Sequence, residues 1–155
     1  MSKAKFIPEG LHTVTAQLSI DGASDAIAFF QKAFGAEEVM RAADPSGKKI
    51  WHAELRIGDS KVFVNDTFPE MGGAATKSQL WIYTENVDAL HRRATDAGAK
   101  AKMPLADMFW GDRVGTVVDP WGNDWTLATH LKDLTPAEMK AAADAFIAQM
   151  AQRKP

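Results

Sequence analysis

The sequence predicts an α+β domain in which two βαβββ repeats form a cleft-enclosing curved mixed sheet, followed by a C-terminal helix. Three observations carry this. Strand, turn and helix patterns occur in the same order twice along the chain. The same interval separates Asp25-Ala26-Ile27 from Asp88-Ala89-Leu90 and Phe34-Gly35-Ala36 from Ala97-Gly98-Ala99, which marks an internal duplication. Finally, Thr135-Pro136-Ala137-Glu138 opens a last helix outside both repeats.

Repeat one covers 10–68. His12 to Ile20 alternates, with Thr13, Thr15, Gln17 and Ser19 on one face and Val14, Ala16, Leu18 and Ile20 on the other, as a half-buried strand does. After Asp21-Gly22, Ser24 or Asp25 caps a helix carrying Ile27, Phe30 and Phe34, and Gly35 suits a left-handed C-terminal cap. Strands at 38–42, 50–57 and 61–65 complete the unit, with turns at Asp44-Pro45-Ser46-Gly47 and Gly58-Asp59-Ser60. Gly72-Gly73 marks the joint. Repeat two covers 77–131: a strand from Gln79 to Thr84, a helix capped by Asn86 and closed by Gly98, and strands at 115–118 and 124–129. Met103 to Arg113 reads as a loop over the cleft, with Phe109 and Trp110 exposed on it. The helix at 135–152 puts Met139, Ala143, Phe146, Ile147 and Met150 on one stripe. A lone helix of that length is marginal in water, so the stripe packs on its own domain or on a dimer partner.

The chain has 155 residues, a formal charge of −2 and no cysteine. One domain fits this length. The charge gives no reason to expect a nucleic-acid or anionic-membrane surface. Without cysteine there are no disulfides and no thiolate ligands. The N-terminus shows no signal peptide and no window reaches a membrane-spanning length, so the expected location is cytoplasmic.

Residues 10 to 131 resemble the vicinal oxygen chelate superfamily of glyoxalases, bleomycin-resistance proteins and extradiol dioxygenases. The resemblance rests on the helix Asp25 to Ala36, ending Phe34-Gly35-Ala36, and on Asp119-Pro120-Trp121-Gly122-Asn123 before the last strand. Ile7-Pro8-Glu9-Gly10, His52-Ala53-Glu54, Phe109-Trp110-Gly111-Asp112-Arg113 and Ala128-Thr129-His130 are similar to a glyoxalase-like branch of it. The resemblance implies a cleft between two facing sheets. In enzymatic members this cleft holds one divalent metal on four strand residues, and in antibiotic-sequestering dimers it holds none.

Carried over residue by residue, the four metal positions fall on Thr15, Phe63 (within two residues along its strand), Gln79 and Thr126. Two hydroxyls, an amide and a phenyl ring do not hold zinc, nickel or iron, so no metal and no other cofactor is expected. His52 and Glu54 share a strand face with Arg56, as a partial ligand pair or as an ion-paired row. His12 reads as a surface or cap residue, His91 as solvated beside Arg92 and Arg93, and His130 ends the last strand near the cleft rim. The expected ligand-binding set is Thr15, Gln17, His52, Glu54, Gln79, Trp81, Tyr83, Trp110, Arg113 and Thr126. Three functions remain open: a metal-free binding protein for a small molecule, a divalent-metal lyase, isomerase or dioxygenase with non-standard ligands, and a dimeric scaffold. A small-molecule ligand and a second copy of the chain are the expected partners.

Overall fold

The structure, a computed structural model, describes residues 4–153. In chain order it contains β1 (Ala16–Ser19), α1 (Ala23–Phe34), β2 (Glu37–Ala43), β3 (Ile50–Ile57), β4 (Ser60–Asn65), a 3₁₀ turn (Pro69–Met71), β5 (Gln79–Tyr83), α2 (Val87–Ala97), β6 (Lys100–Asp107), β7 (Asp112–Val118), β8 (Asp124–His130) and α3 (Pro136–Gln152). The strands form two four-stranded mixed sheets, ordered β1-β4-β3-β2 and β5-β8-β7-β6. Each sheet begins with a parallel pair, β1 with β4 or β5 with β8, and continues antiparallel. The two halves therefore share one topology.

Both helix ends close as their glycines require. Gly35 has φ 69° and Gly98 φ 117°, a region that a Cβ disfavours. The helix starts are held differently. Asn86 caps α2 through its own side chain, accepting from the Ala89 amide. Gly22 cannot do this, so Asp66, just past β4, reaches across to accept from the amides of Gly22, Ala23 and Ile50.

Alternation sends one face of each sheet toward the helices. Leu18, Val62, Val64, Ala53 and Leu55 from the first sheet and Val117, Trp125 and Leu127 from the second are buried there in one core. Phe30 and Phe34 of α1 meet Trp125 with ring centroids 5.2 and 4.5 Å apart, and Trp121 packs on Phe29 and Phe30. Arg93 of α2 donates to the carbonyls of Lys32 and Gln31 at the end of α1. The repeats thus join helix side to helix side, and the opposite face of each sheet is partly open, with Asp112, Val114, Thr116 and Ala128 buried on the second.

Four expectations need correction. Neither Ser24 nor Asp25 caps α1: its N-cap is Gly22, and Asp66 takes the place of a side-chain cap. The first strand spans 16–19, not 12–20, because β4 pairs only with those residues; Val14 lies beyond the ladder and is 85% exposed. The segment 103–113 is not a loop. It is mostly β6 and the start of β7, paired from Lys100↔Val118 to Asp107↔Arg113 with two register shifts, and the turn is confined to 108–111. Pro104 and the two register shifts disguise a strand that lies at the sheet edge, where a missing amide costs no ladder bond. His91 is not solvated: its Nε2 is buried without a partner, and its ring lies close to Gly115 of β7.

Candidate functional site

The open face of the second sheet follows from its register. Trp81 pairs with Thr126 and Tyr83 with Ala128, while Thr116 lies across from both Thr126 and Met103. Trp81 and Tyr83 are half exposed on the edge strand β5, with ring centroids 6.1 Å apart and an interplanar angle of 32°. Thr116 and Thr126 hydroxyls lie 3.1 Å apart, and Gln79 is exposed at the end of the same face. Met103 adds an exposed apolar side chain.

At the far end of this face is a polar cluster centred on Asp112, which is buried. Its Oδ1 lies 2.6 Å from His130 Nδ1, and its Oδ2 accepts from Trp110 Nε1 at 3.0 Å and from the Tyr83 hydroxyl at 3.1 Å. Burial pushes the carboxyl up, yet the hydrogen bonds from His130, Trp110 and Tyr83 outweigh it and hold Asp112 below the ordinary range. Tyr83 is raised by burial and by its bond to that carboxylate. His130 is raised by its bonds to Asp112 and Asp133. The turn at 108–111 that delivers Trp110 depends on Gly111, with φ 99°, where a Cβ would meet the Lys132 carbonyl at 2.4 Å.

The open face of the first sheet carries Gln17, Ser19, His52, Glu54, Phe63 and Asn65. Gln17 Nε2 donates to Asn65 Oδ1 at 2.9 Å, and the Ser19 hydroxyl donates to the same oxygen at 3.3 Å. Glu54 pairs with Lys61 at 2.5 Å, Arg56 with Glu37, and His52 stacks edge-on against Phe63 at 4.7 Å. His52 and Glu54 thus lie within a polar row whose charges are already matched.

The expected ligand residues fall into two groups. Gln17, His52 and Glu54 lie on the first sheet, with Thr15 just before β1; Gln79, Trp81, Tyr83 and Thr126 lie on the second, with Trp110 at its rim. A pocket of about 570 Å³ between the β3–β4 turn, β5 and α2 takes in Trp81 and Tyr83 but none of the other eight. Arg113 is on the opposite, helix side of the second sheet, where it grips Asp88 at 2.8 Å and Asp107 at 3.1 Å. It pairs with Thr129, whose hydroxyl accepts from the Val87 amide. The register of β7 therefore separates Arg113 from Asp112. In the sequence the one signal for Asp112 as a site residue is its place beside Arg113.

The superfamily's metal does not fit these residues. Thr15, Phe63, Gln79 and Thr126 supply no carboxylate or imidazole, and among the described residues no three His, Asp, Glu or Cys side chains come together as ligands. The Asp119-Pro120-Trp121-Gly122-Asn123 turn is structural. Asp119, buried, accepts from the amides of Trp121 and Asn123, from Asn123 Nδ2 and from Trp125 Nε1, while Asn123 Oδ1 receives the Ser78 amide ahead of β5.

A family model described as Glyoxalase/Bleomycin resistance protein/Dioxygenase superfamily matches residues 11–127. An uncharacterised protein of Mycobacterium bovis is 39% identical over 134 residues, covering 81% of this chain and 88% of that protein. Among solved structures, TioX from Micromonospora sp. ML1 aligns with a TM-score of 0.66 and 30% identity over 77% of this chain and 99% of its own. The fosfomycin resistance protein FosX from Listeria monocytogenes shares the fold at a TM-score of 0.60 and 18% identity, over 83% of this chain and 97% of its own. No helix among the described residues is long and apolar enough to cross a membrane.

Proposed function

We propose, from the premise that the chain belongs to the Glyoxalase/Bleomycin resistance protein/Dioxygenase superfamily, that it binds a small aromatic or amphipathic molecule without the superfamily's metal. The observation that carries this reading is the half-exposed Trp81–Tyr83 pair on a sheet face that also offers Gln79 and Thr126. Large aromatic rings left in water beside neutral hydrogen-bonding groups are the composition of a ligand seat. Gln17, His52 and Glu54 form a second polar wall, which a homodimer would bring opposite the aromatic face of the partner. The ligand then lies between two sheets contributed by two copies.

A fluorescence titration tests the seat. Planar aromatic compounds that raise the melting temperature should quench tryptophan emission saturably, and Trp81→Ala should weaken binding about tenfold, the loss expected of one stacked ring. Binding untouched by Trp81→Ala removes the seat from this face. Elemental analysis tests the metal: protein purified without chelator or tag should carry well under one equivalent of any transition metal. About one equivalent of zinc, nickel, iron or manganese, lost in His52→Ala or Glu54→Ala, would put a metalloenzyme reading first.

A further inference from the structure

We propose that His130 is a proton-transfer residue, oriented by the buried carboxylate of Asp112 and directed at a ligand on the Trp81–Tyr83 face; the choice of face rests on the reading above. Asp112 opens β7, His130 closes β8, and the two are direct partners in the ladder. The Asp112 side chain is 5% exposed, and three donors converge on it from three places: Tyr83 at the end of β5, Trp110 in the 108–111 turn, and the imidazole. Such a carboxylate cannot turn. It commits Nδ1 of the imidazole and leaves Nε2 facing outward, where its partner is Asp133 Oδ1 at 3.0 Å on a fully exposed side chain.

This is the geometry of an imidazole and its orienting acid. The ladder bonds already join β7 to β8, so a strand tie alone needs no second ring nitrogen at the surface. The dyad also adjoins the aromatic pair, because the Tyr83 hydroxyl and His130 Nδ1 bind the two oxygens of one carboxylate. In the neutral ring Nδ1–H donates to Asp112 and Nε2 carries the lone pair. A proton taken from the ligand onto Nε2 gives an imidazolium between Asp112 and Asp133, and the same nitrogen returns it to ligand or water. No oxidant, reductant or metal enters the step.

The groups facing His130 are Asp112 of β7, Asp133 in the segment after β8, and, through Asp112, the Tyr83 hydroxyl of β5 and the Trp110 indole. Lys132 is the neighbouring cation in the chain. Two carboxylates keep the ring protonated to higher pH than an ordinary imidazole, so action as a base rises with pH through a midpoint above the ordinary one.

The probe is 5-nitrobenzisoxazole, a planar aromatic that loses one ring C–H proton as its N–O bond breaks, giving a coloured cyanophenolate. The full chain should turn it over saturably, at least about tenfold faster than free imidazole at equal concentration. His130→Gln should abolish this; the side chain is half exposed, so the fold is kept and near-UV circular dichroism verifies it. Asp112→Asn should lower kcat and move the pH midpoint down, whereas Asp133→Asn should move the midpoint down and keep kcat at high pH. Turnover no faster than free imidazole, turnover surviving His130→Gln, or a midpoint unmoved in both aspartate variants overturns the proposal. Trp81→Ala separates it from the ligand-seat reading. A raised KM with kcat kept is what that seat requires; an unchanged KM sinks the seat and leaves the role of His130 standing.

Discussion

Two buried carboxylates anchor the second repeat, and each is satisfied by several donors at once. Asp119 accepts four hydrogen bonds inside its turn, so Asp119→Ala strands the buried Trp125 indole N–H and Asn123 amide. We expect a loss of about 3 kcal/mol or more, read from urea unfolding. Asp112 and His130 give opposite pH signatures. The carboxyl is depressed below its ordinary 3.8, so its contribution is present above that value and is lost as pH falls through the folded value. The imidazole is raised above its ordinary 6.5, so its contribution is complete below that value and is lost as pH rises through the folded value. Urea midpoints should therefore peak between these limits, and His130→Gln should remove the alkaline decline attributable to the ring. An unaltered alkaline limb in that variant would contradict the pairing. At this scale the sequence was only partly legible. Alternation places Gln17, His52, Glu54, Trp81 and Tyr83 on open faces, but it does not separate Asp112 from Arg113, because Pro104 and two register shifts hide the strand pairing of their segment. Nor did it show His91 turned inward, since two arginines beside it mask the inner face of α2.

Among the elements, helices with strong punctuation were legible and a strand without it was not. Gly35, Gly98 and Asn86 ended or began their helices as their chemistry demands, and the capping box at Thr135 and Glu138 is formed in both directions. β6 is hidden because Pro104 interrupts it and two register shifts break its pairing along a sheet edge. α3 is unlike the other helices: none of its residues is buried, and its apolar stripe leaves Ile147 65% and Met150 51% exposed. Its visible anchor is the contact of Phe146 with Phe109, with centroids 5.1 Å apart. A helix so lightly packed depends on its cap. Thr135→Ala should cost α3 about 1 kcal/mol and speed amide exchange across 136–152, leaving the melting of the remaining chain within about a degree of wild type. A large shift in the global melting temperature would mean that α3 is part of the main cooperative unit.

For the whole molecule the decisive feature is that the helix sides of both sheets share one core while the other faces carry exposed side chains, with Asp112, Val114, Thr116 and Ala128 buried on the second. β1 and β5 are edge strands with one unpaired side each, and unpaired edges are surfaces that proteins cover or blunt. Trp81 and Tyr83 are exposed on β5, Met40 and Met103 on the opposite edge strands β2 and β6, and Leu131, Phe146, Ile147 and Met150 beyond β8. That much apolar surface on a monomer of this size marks an interaction site. A second copy would supply matching sheets, and an isologous pair would cover the same patch on both chains. We therefore expect a homodimer burying about 1,000 Å² or more in total. Light scattering and sedimentation at micromolar protein should give twice the chain mass; a monomer mass independent of concentration would refute it. Ile147→Asp with Met150→Asp decides where α3 packs. Dimer dissociation raised about tenfold places the stripe in the interface, and an unchanged constant leaves dimerisation to the open sheet faces.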